Sequence, residues 1–189
     1  MNRAATHDDR VDRFESVAAA VFEPLQRYAR RRADPVRAQD VVADTLVVLW
    51  RQLDRVPAGA ELPWCYGVAR KCLANTRRAT IRHERLIDRI ASNAQSVVAE
   101  HEDPALQDDH PELRAALARL SAADRELVQM WAWEGLEPRE IAVALQISAN
   151  AVSIRLHRIK QRLRNTLGQG KELDPAGHKP VGTEEDRHG

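Results

Sequence analysis

Apolar residues in this chain recur every three or four positions, and rarely every second one. Val11, Phe14, Val17, Val21, Leu25 and Tyr28 fall on one stripe of a helix. Pro24 interrupts that stripe and predicts either a new helix starting there or a bend in the existing one. Asp34-Pro35 predicts an N-cap followed by proline at the first helical position. The helix it opens carries Val42, Leu46, Leu49 and Leu53 on one face. The segment Asp54 to Pro63 reads as a loop, punctuated by Pro57, Gly59 and Pro63. Pro63 then opens a long helix with Val68, Cys72, Ala79, Leu86 and Ile90 on one stripe. Lys71, Arg78, Arg82, Arg85 and Arg89 occupy the neighbouring stripe.

Residues 91–111 lose the helical period. They are acidic and polar and contain Pro104 and Pro111, which is linker composition; fully extended, such a segment spans about 70 Å. Periodicity returns with Leu113, Leu117 and Leu120. Ser121 is the expected N-cap of the next helix, in a capping-box arrangement with Asp124. Leu127, Val128 and Trp131 follow, and Gly135 reads as the stop. Pro138 opens a short helix with Ile141 and Leu145 inward. After a tight turn Ser148 caps a last helix that buries Val152, Leu156, Ile159 and Leu163, and Gly168 ends it. The tail 168–189 has almost no apolar residues and is expected to be disordered. The expected fold is all-α: two small helical domains, 10–90 and 112–167, joined by a flexible acidic linker, 91–111. The C-terminal domain is a helix-turn-helix.

Composition narrows the picture. A hydrophobic fraction of 43% over 189 residues is too high for a wholly disordered chain. No run of eighteen apolar residues exists to make a membrane-spanning helix. Met1 to Arg13 has no apolar region of the kind a secretory signal needs. Cys65 and Cys72, seven residues apart on one helix, have Cα atoms roughly 10 Å apart, too far for a disulfide. They are expected to be reduced thiols in a cytoplasmic protein.

Charge order says more than its sum. The formal net charge is +1, but residues 51–90 carry nine basic and four acidic side chains, and residues 153–167 carry five basic and none acidic. Between them, residues 91–112 carry six acids and no Lys or Arg. Two basic blocks flanking an acidic segment point to partners, here nucleic acid.

Catalytic chemistry finds no support. The sequence lacks a Gly-rich phosphate loop, an HExxH pair, a CxxC pair and a nucleophile elbow. No catalytic residue and no cofactor is expected, and the chain does not read as an enzyme. His101, Glu102, Asp103, Asp108, Asp109 and His110 have ligand chemistry, but nothing in a linker would hold them, so no metal site is expected. The stretch Glu137 to Leu163, by contrast, has a short helix, a tight turn and a longer basic helix. That is the pattern whose second helix enters the DNA major groove. Opposite its apolar stripe lie Arg155, Arg158 and Arg162. Ser148, Asn150 and Ser153 sit at its N-terminal end, where side chains reach base edges. In the first domain Trp64 and Tyr66 precede the basic stripe and Asn75 lies within it. Aromatic rings beside a basic track can stack on unpaired bases. Tyr66 is expected in the core, and Trp64 is open between core and stacking.

These residues together resemble an extracytoplasmic-function (ECF) sigma factor of bacterial RNA polymerase, over about residues 10–167. Ala38-Gln39-Asp40-Val41-Val42 through Trp50 is similar to the family's A-E-D-hydrophobic…W helix. Pro63-Trp64-Cys65-Tyr66-Gly67-Val68-Ala69-Arg70 is similar to its P/T-W-L-Y-x-I-A-R segment. The resemblance implies that Asp40, Val41, Asp44, Leu49 and Trp50 contact core polymerase. It implies that Trp64, Lys71, Asn75, Arg78 and Arg82 meet the −10 element, and that Ser148, Asn150, Ser153, Arg155, Arg158 and Arg162 meet the −35 element. It further implies core RNA polymerase, promoter DNA and an anti-sigma factor as partners.

The departures from the family pattern are specific. Gln39 replaces an acid, Cys65 a leucine and Lys71 an asparagine, and Gln146 stands where the helix-turn-helix turn usually has glycine. If Gln146 is left-handed, it costs roughly 1–2 kcal/mol. Asn150, Ala151 and Ser153 replace the common Gly, Thr and Lys, which predicts an unusual −35 preference. The rival reading is a conventional helix-turn-helix regulator that binds duplex DNA without being a polymerase subunit.

Overall fold

In a computed structural model, which describes residues 7–91 and 111–167, every regular element is helical. In order they are α1 (His7–Arg30), α2 (Pro35–Arg51), a 3₁₀ turn (Leu53–Arg55), α3 (Glu61–Ala91), α4 (Pro111–Ala118), α5 (Ala122–Ala132), α6 (Pro138–Leu145) and α7 (Ala149–Leu167). The linker and tail expected from the sequence, with the acids and histidines between His101 and His110, lie outside the described residues, apart from the linker's ends. Ala91 closes α3 and Pro111 opens α4.

Pro24 neither starts a helix nor ends one: α1 runs through it to Arg30. Tertiary packing holds the surrounding turns, because Val21, Leu25, Tyr28 and Ala29 are all buried there. Asp34 caps α2 as expected, its carboxylate accepting the Arg37 backbone N–H at 3.0 Å, with Pro35 at the first helical position. α3 begins two residues earlier than Pro63, at Glu61, and the proline sits in its first turn, where no N–H is missed. Its inner face is also rotated from the expected stripe. Cys65, Tyr66 and Ala69 are buried, whereas Ala79 is exposed.

The C-terminal helices follow their sequence signals closely. Ser121 caps α5 by accepting the Asp124 N–H at 3.1 Å. Gly135, at φ +66°, turns the chain after α5. Glu137 and Glu140 form a reciprocal capping box at the start of α6. Ser148 accepts the Ala151 N–H at 3.2 Å and caps α7, which buries Val152, Leu156, Ile159 and Leu163.

The two halves are not separate bodies. α6 packs across α3, and Tyr28 and Arg32, at and just past the end of α1, bond Glu126 in α5 and Glu134 just beyond it. A single core cluster runs from Val21 to Leu163.

Candidate nucleic-acid and polymerase interfaces

Helix periodicity on α2 divides the expected polymerase contacts. Asp40 and Asp44, four residues apart, are exposed on one face. Val41 and Leu49 have no exposed surface at all. Their contact role is therefore corrected to a packing role: they seat α2 on α1 and α3. Trp50 is half-buried. Its ring meets Phe14 edge-on at 5.2 Å, Arg10 lies over it at 5.2 Å, and its carbonyl accepts from Arg10 at 2.6 Å. Gln39 lines an open groove of about 310 Å³ between α1 and α2, beside the exposed ring of Phe22.

On α3, Lys71, Asn75, Arg78 and Arg82 are exposed at helical spacing, so the basic stripe does face outward. Arg78 reaches back to Asn75 Oδ1 at 3.5 Å. Arg85 and Arg89 lie outside the described side chains. Trp64 is half-buried against the core rather than free, and Tyr66 is buried, stacked at 4.9 Å on Tyr28. Burial pushes the Tyr66 hydroxyl well above its ordinary pKa and the Cys65 thiol up to about 12. Cys65 is therefore an inert thiol at neutral pH.

On α7, Ser148, Asn150, Ser153, Arg158 and Arg162 are exposed. Ser153 Oγ donates to the Ala149 carbonyl at 3.0 Å. Arg155 is different: its Nε and Nη2 fork onto Asp124 Oδ1 at 3.1 and 2.7 Å, which ties α7 to the first turn of α5. Desolvation would raise the Asp124 carboxyl. Hydrogen bonds from Arg155 and Ser121, with the charges of Arg155 and Arg162, outweigh it and hold the group below its ordinary value. Lys160, also in the basic block, lies 3.6 Å from the centre of the Trp131 ring. Burial and the charge of Arg164 lower its pKa. The outward basic residues of α7 are thus Arg158, Arg162 and Arg164, while Arg155 is held by Asp124 and Lys160 lies over Trp131.

The family model for Sigma-70, region 4 matches residues 110–163. The chain is 33% identical over 151 residues to ECF RNA polymerase sigma factor SigL from Mycobacterium tuberculosis, covering 76% of this chain and 82% of that one. The chain belongs to the ECF RNA polymerase sigma factors. It is also 30% identical over 168 residues to RNA polymerase sigma factor CarQ from Myxococcus xanthus, covering 86% of this chain and 93% of that one. Among solved structures, this sigma factor's fold is similar to the sigma factor RpoE in complex with the anti-sigma factor NepR from Bartonella quintana. The TM-score there is 0.54 at 22% identity, over 82% of this chain and 96% of that one. It is also similar to CnrH in complex with the cytosolic domain of CnrY, at a TM-score of 0.51 and 22% identity, over 82% of this chain and 86% of that one.

One group of residues in this sigma factor was not legible in the sequence. Tyr28 donates to Glu126 at 2.7 Å, across 98 residues, and Arg32 donates to Glu134 at 3.0 Å, across 102. Arg31 Nη2 lies 3.5 Å from the other Glu134 oxygen. The Glu134 side chain is 2% exposed and that of Arg32 9%. Burial raises the Glu134 carboxyl, and the neighbouring Arg32 and Arg31 offset this only in part. Such a pair fixes how the two halves meet, but adds little net stability, because desolvation cancels most of the attraction. No sequence-local signal marks these contacts, since Tyr28 reads as part of an apolar stripe and Arg31, Arg32, Glu126 and Glu134 read as ordinary surface charges.

Proposed function

We propose that this chain is the sigma subunit that binds core RNA polymerase and directs promoter recognition, −10 melting and transcription initiation. The observation that carries it is the presence, in one chain, of two outward basic tracks, Lys71–Arg82 on α3 and Arg158–Arg162 on α7. A conventional regulator needs only the second.

In this reading residues 10–90 form the unit for polymerase and the −10 element, and residues 112–167 the unit for the −35 element. Asp40 and Asp44 meet core polymerase, with Trp50 supporting the helix that carries them. The loop 54–63 and the face of α3 capture unpaired −10 bases. Extruding a base costs a few kcal/mol, which contacts from Trp64, Asn75 and the Arg78 and Arg82 track offset. Asn150 and Ser153 reach base edges of the −35 duplex near the capped start of α7, while Arg158 and Arg162 hold phosphates. The acidic segment 91–111 is the tether between the two units, and its charge suits a basic channel of the polymerase. The chain works in the cytoplasm, where polymerase is, and performs no catalysis of its own. The sigma factor RpoE, of similar fold, is complexed with the anti-sigma factor NepR, which supports an anti-sigma factor as a partner here.

In vitro transcription with purified core polymerase and a candidate promoter tests the proposal. Promoter-specific initiation that depends on this chain is expected. Tight duplex binding without polymerase, and no initiation with it, overturns the reading in favour of the regulator.

A further inference from the structure

Two arginines of α1 reach the connection between α2 and α3. Arg10 divides its guanidinium between two acceptors: Nη1 donates to Asp54 Oδ2 and Nη2 to the Trp50 carbonyl, each at 2.6 Å. About one helical turn later, Arg13 Nη2 donates to the Val56 carbonyl at 3.2 Å. These bonds cross 40 to 44 residues. The Trp50 carbonyl lies in the last turn of α2, where intrahelical donors run out and a cation suits the helix dipole. Leu53 and Val56 are buried. The near end of the connection is therefore held at Trp50, Asp54 and Val56 by side chains from another helix.

Beyond Val56 the chain turns outward, and Pro57, Ala58 and Gly59 are exposed. Local bonds set the shape of this tip. The Ala60 N–H donates to the Pro57 carbonyl at 3.1 Å, Gly59 stands at φ +76°, and its N–H donates to the Glu61 carboxylate at 3.0 Å. No residue from 57 to 60 carries a side-chain hydrogen-bonding group. The tip can read a base edge only through its backbone, so what it recognises depends on where that backbone is held.

We propose that Arg10 and Arg13 are positioning residues for base capture: they fix the backbone of residues 54–56 and thereby set where the 57–60 tip meets an unpaired −10 base. The proposal rests on the functional reading above, which gives the loop 54–63 to the −10 element. The bonds fit this role better than a role in overall stability. The Asp54 side chain is 71% exposed, and an ion pair in water adds little to global stability. A guanidinium fork shared between a carboxylate and a carbonyl still fixes distance and angle, which a lysine ammonium cannot do for both acceptors. A loop held in place before binding also loses less conformational entropy on capture.

Arg10→Ala, Arg13→Ala, the double variant and Arg10→Lys test it, once circular dichroism and melts show that each is folded. Amide hydrogen exchange on the full chain is the first readout. The Arg55 and Val56 N–H groups, which bond the Gln52 and Leu53 carbonyls, should exchange about tenfold faster in the double variant, with the α2 amides unchanged. The second readout uses holoenzyme, on a promoter from which the wild type initiates and on versions with each −10 and −35 base replaced in turn. In the Arg10→Ala and Arg13→Ala variants, discrimination at the −10 bases should fall several-fold, with that at −35 retained and Arg10→Lys in between. Poor folding or weak polymerase binding lowers initiation on every template alike and leaves those ratios unchanged.

Unchanged exchange overturns the proposal. So does an equal loss of discrimination at both elements. A wild type that does not initiate, or that discriminates no −10 base, overturns the loop's assignment and the positioning role with it. A discriminating wild type whose variants keep its −10 ratios overturns the positioning role alone.

Discussion

Arg155 lies on the helix expected to grip DNA, yet its guanidinium forks onto the Asp124 carboxylate at 2.7 and 3.1 Å. Both side chains are partly shielded, at 33% and 23% exposure. The folded chain holds the Asp124 carboxyl below its ordinary value of 3.8, against its desolvation, through the hydrogen bonds from Arg155 and Ser121. The folded state therefore keeps that charge to lower pH than the unfolded chain does. The stabilisation is complete above the ordinary value and is lost as pH falls through it toward the depressed one. Asp124→Asn should cost about 1 kcal/mol in urea melts near pH 6, and almost nothing once both states are protonated. Equal costs at both pH values would show that the pair does not carry it.

The same contact separates Arg155 from its neighbours. Arg158→Ala and Arg162→Ala should each weaken duplex binding across sequences and reduce the salt slope of log K by about 0.9. Arg155→Ala should leave that slope nearly unchanged and instead lower the melting temperature. Titrations of a −35 duplex at several salt concentrations, with melts on the same samples, check both. An equal slope loss in all three variants would return Arg155 to the phosphate contacts.

Most of the fold was legible because its determinants are local. Asp34, Ser121 and Ser148 cap the helices they were expected to cap, and the apolar stripe of α7 is buried throughout. Gln146 is left-handed where the turn chemistry requires it. The site was half legible. Spacing placed Lys71, Asn75, Arg78 and Arg82 on one outward face, but a motif match does not say which way each of its residues points. Val41 and Leu49 belong to the matched helix and face inward. Arg155 has the right spacing for phosphate and is claimed by a carboxylate 31 residues away. The closed arrangement of the halves was not legible at all, since its contacts join residues 75 to 102 apart.

The inward turn of part of α2 also changes how its polymerase face is best probed. Asp40→Ala and Asp44→Ala alter exposed charges alone, and should weaken binding to core polymerase with the melting temperature within a degree or two of wild type. Trp50→Ala removes a ring packed on Phe14 and Arg10 and should destabilise by about 2–3 kcal/mol. Polymerase pull-down beside thermal melts distinguishes the two. If Asp40→Ala and Asp44→Ala bind core as wild type does, the exposed face of α2 is not the docking surface.

Gln146 offers a variant whose two effects oppose one another. Its backbone sits at φ 58°, ψ 43°, a conformation that costs an L-residue roughly 1–2 kcal/mol and glycine almost nothing. Glycine loses about 0.5–1 kcal/mol more chain entropy on folding, so the net gain at this turn is about 0.5–1 kcal/mol. Gln146→Gly also deletes the acceptor for Lys71, an exposed hydrogen bond that adds little to global stability but ties α3 to the helix-turn-helix. The variant should therefore melt slightly higher than wild type. Gln146→Ala serves as the control: it removes the acceptor and keeps the strained backbone, so it should not raise the melt. A higher melt in both variants would show that the side chain, not the left-handed backbone, is what strains this turn.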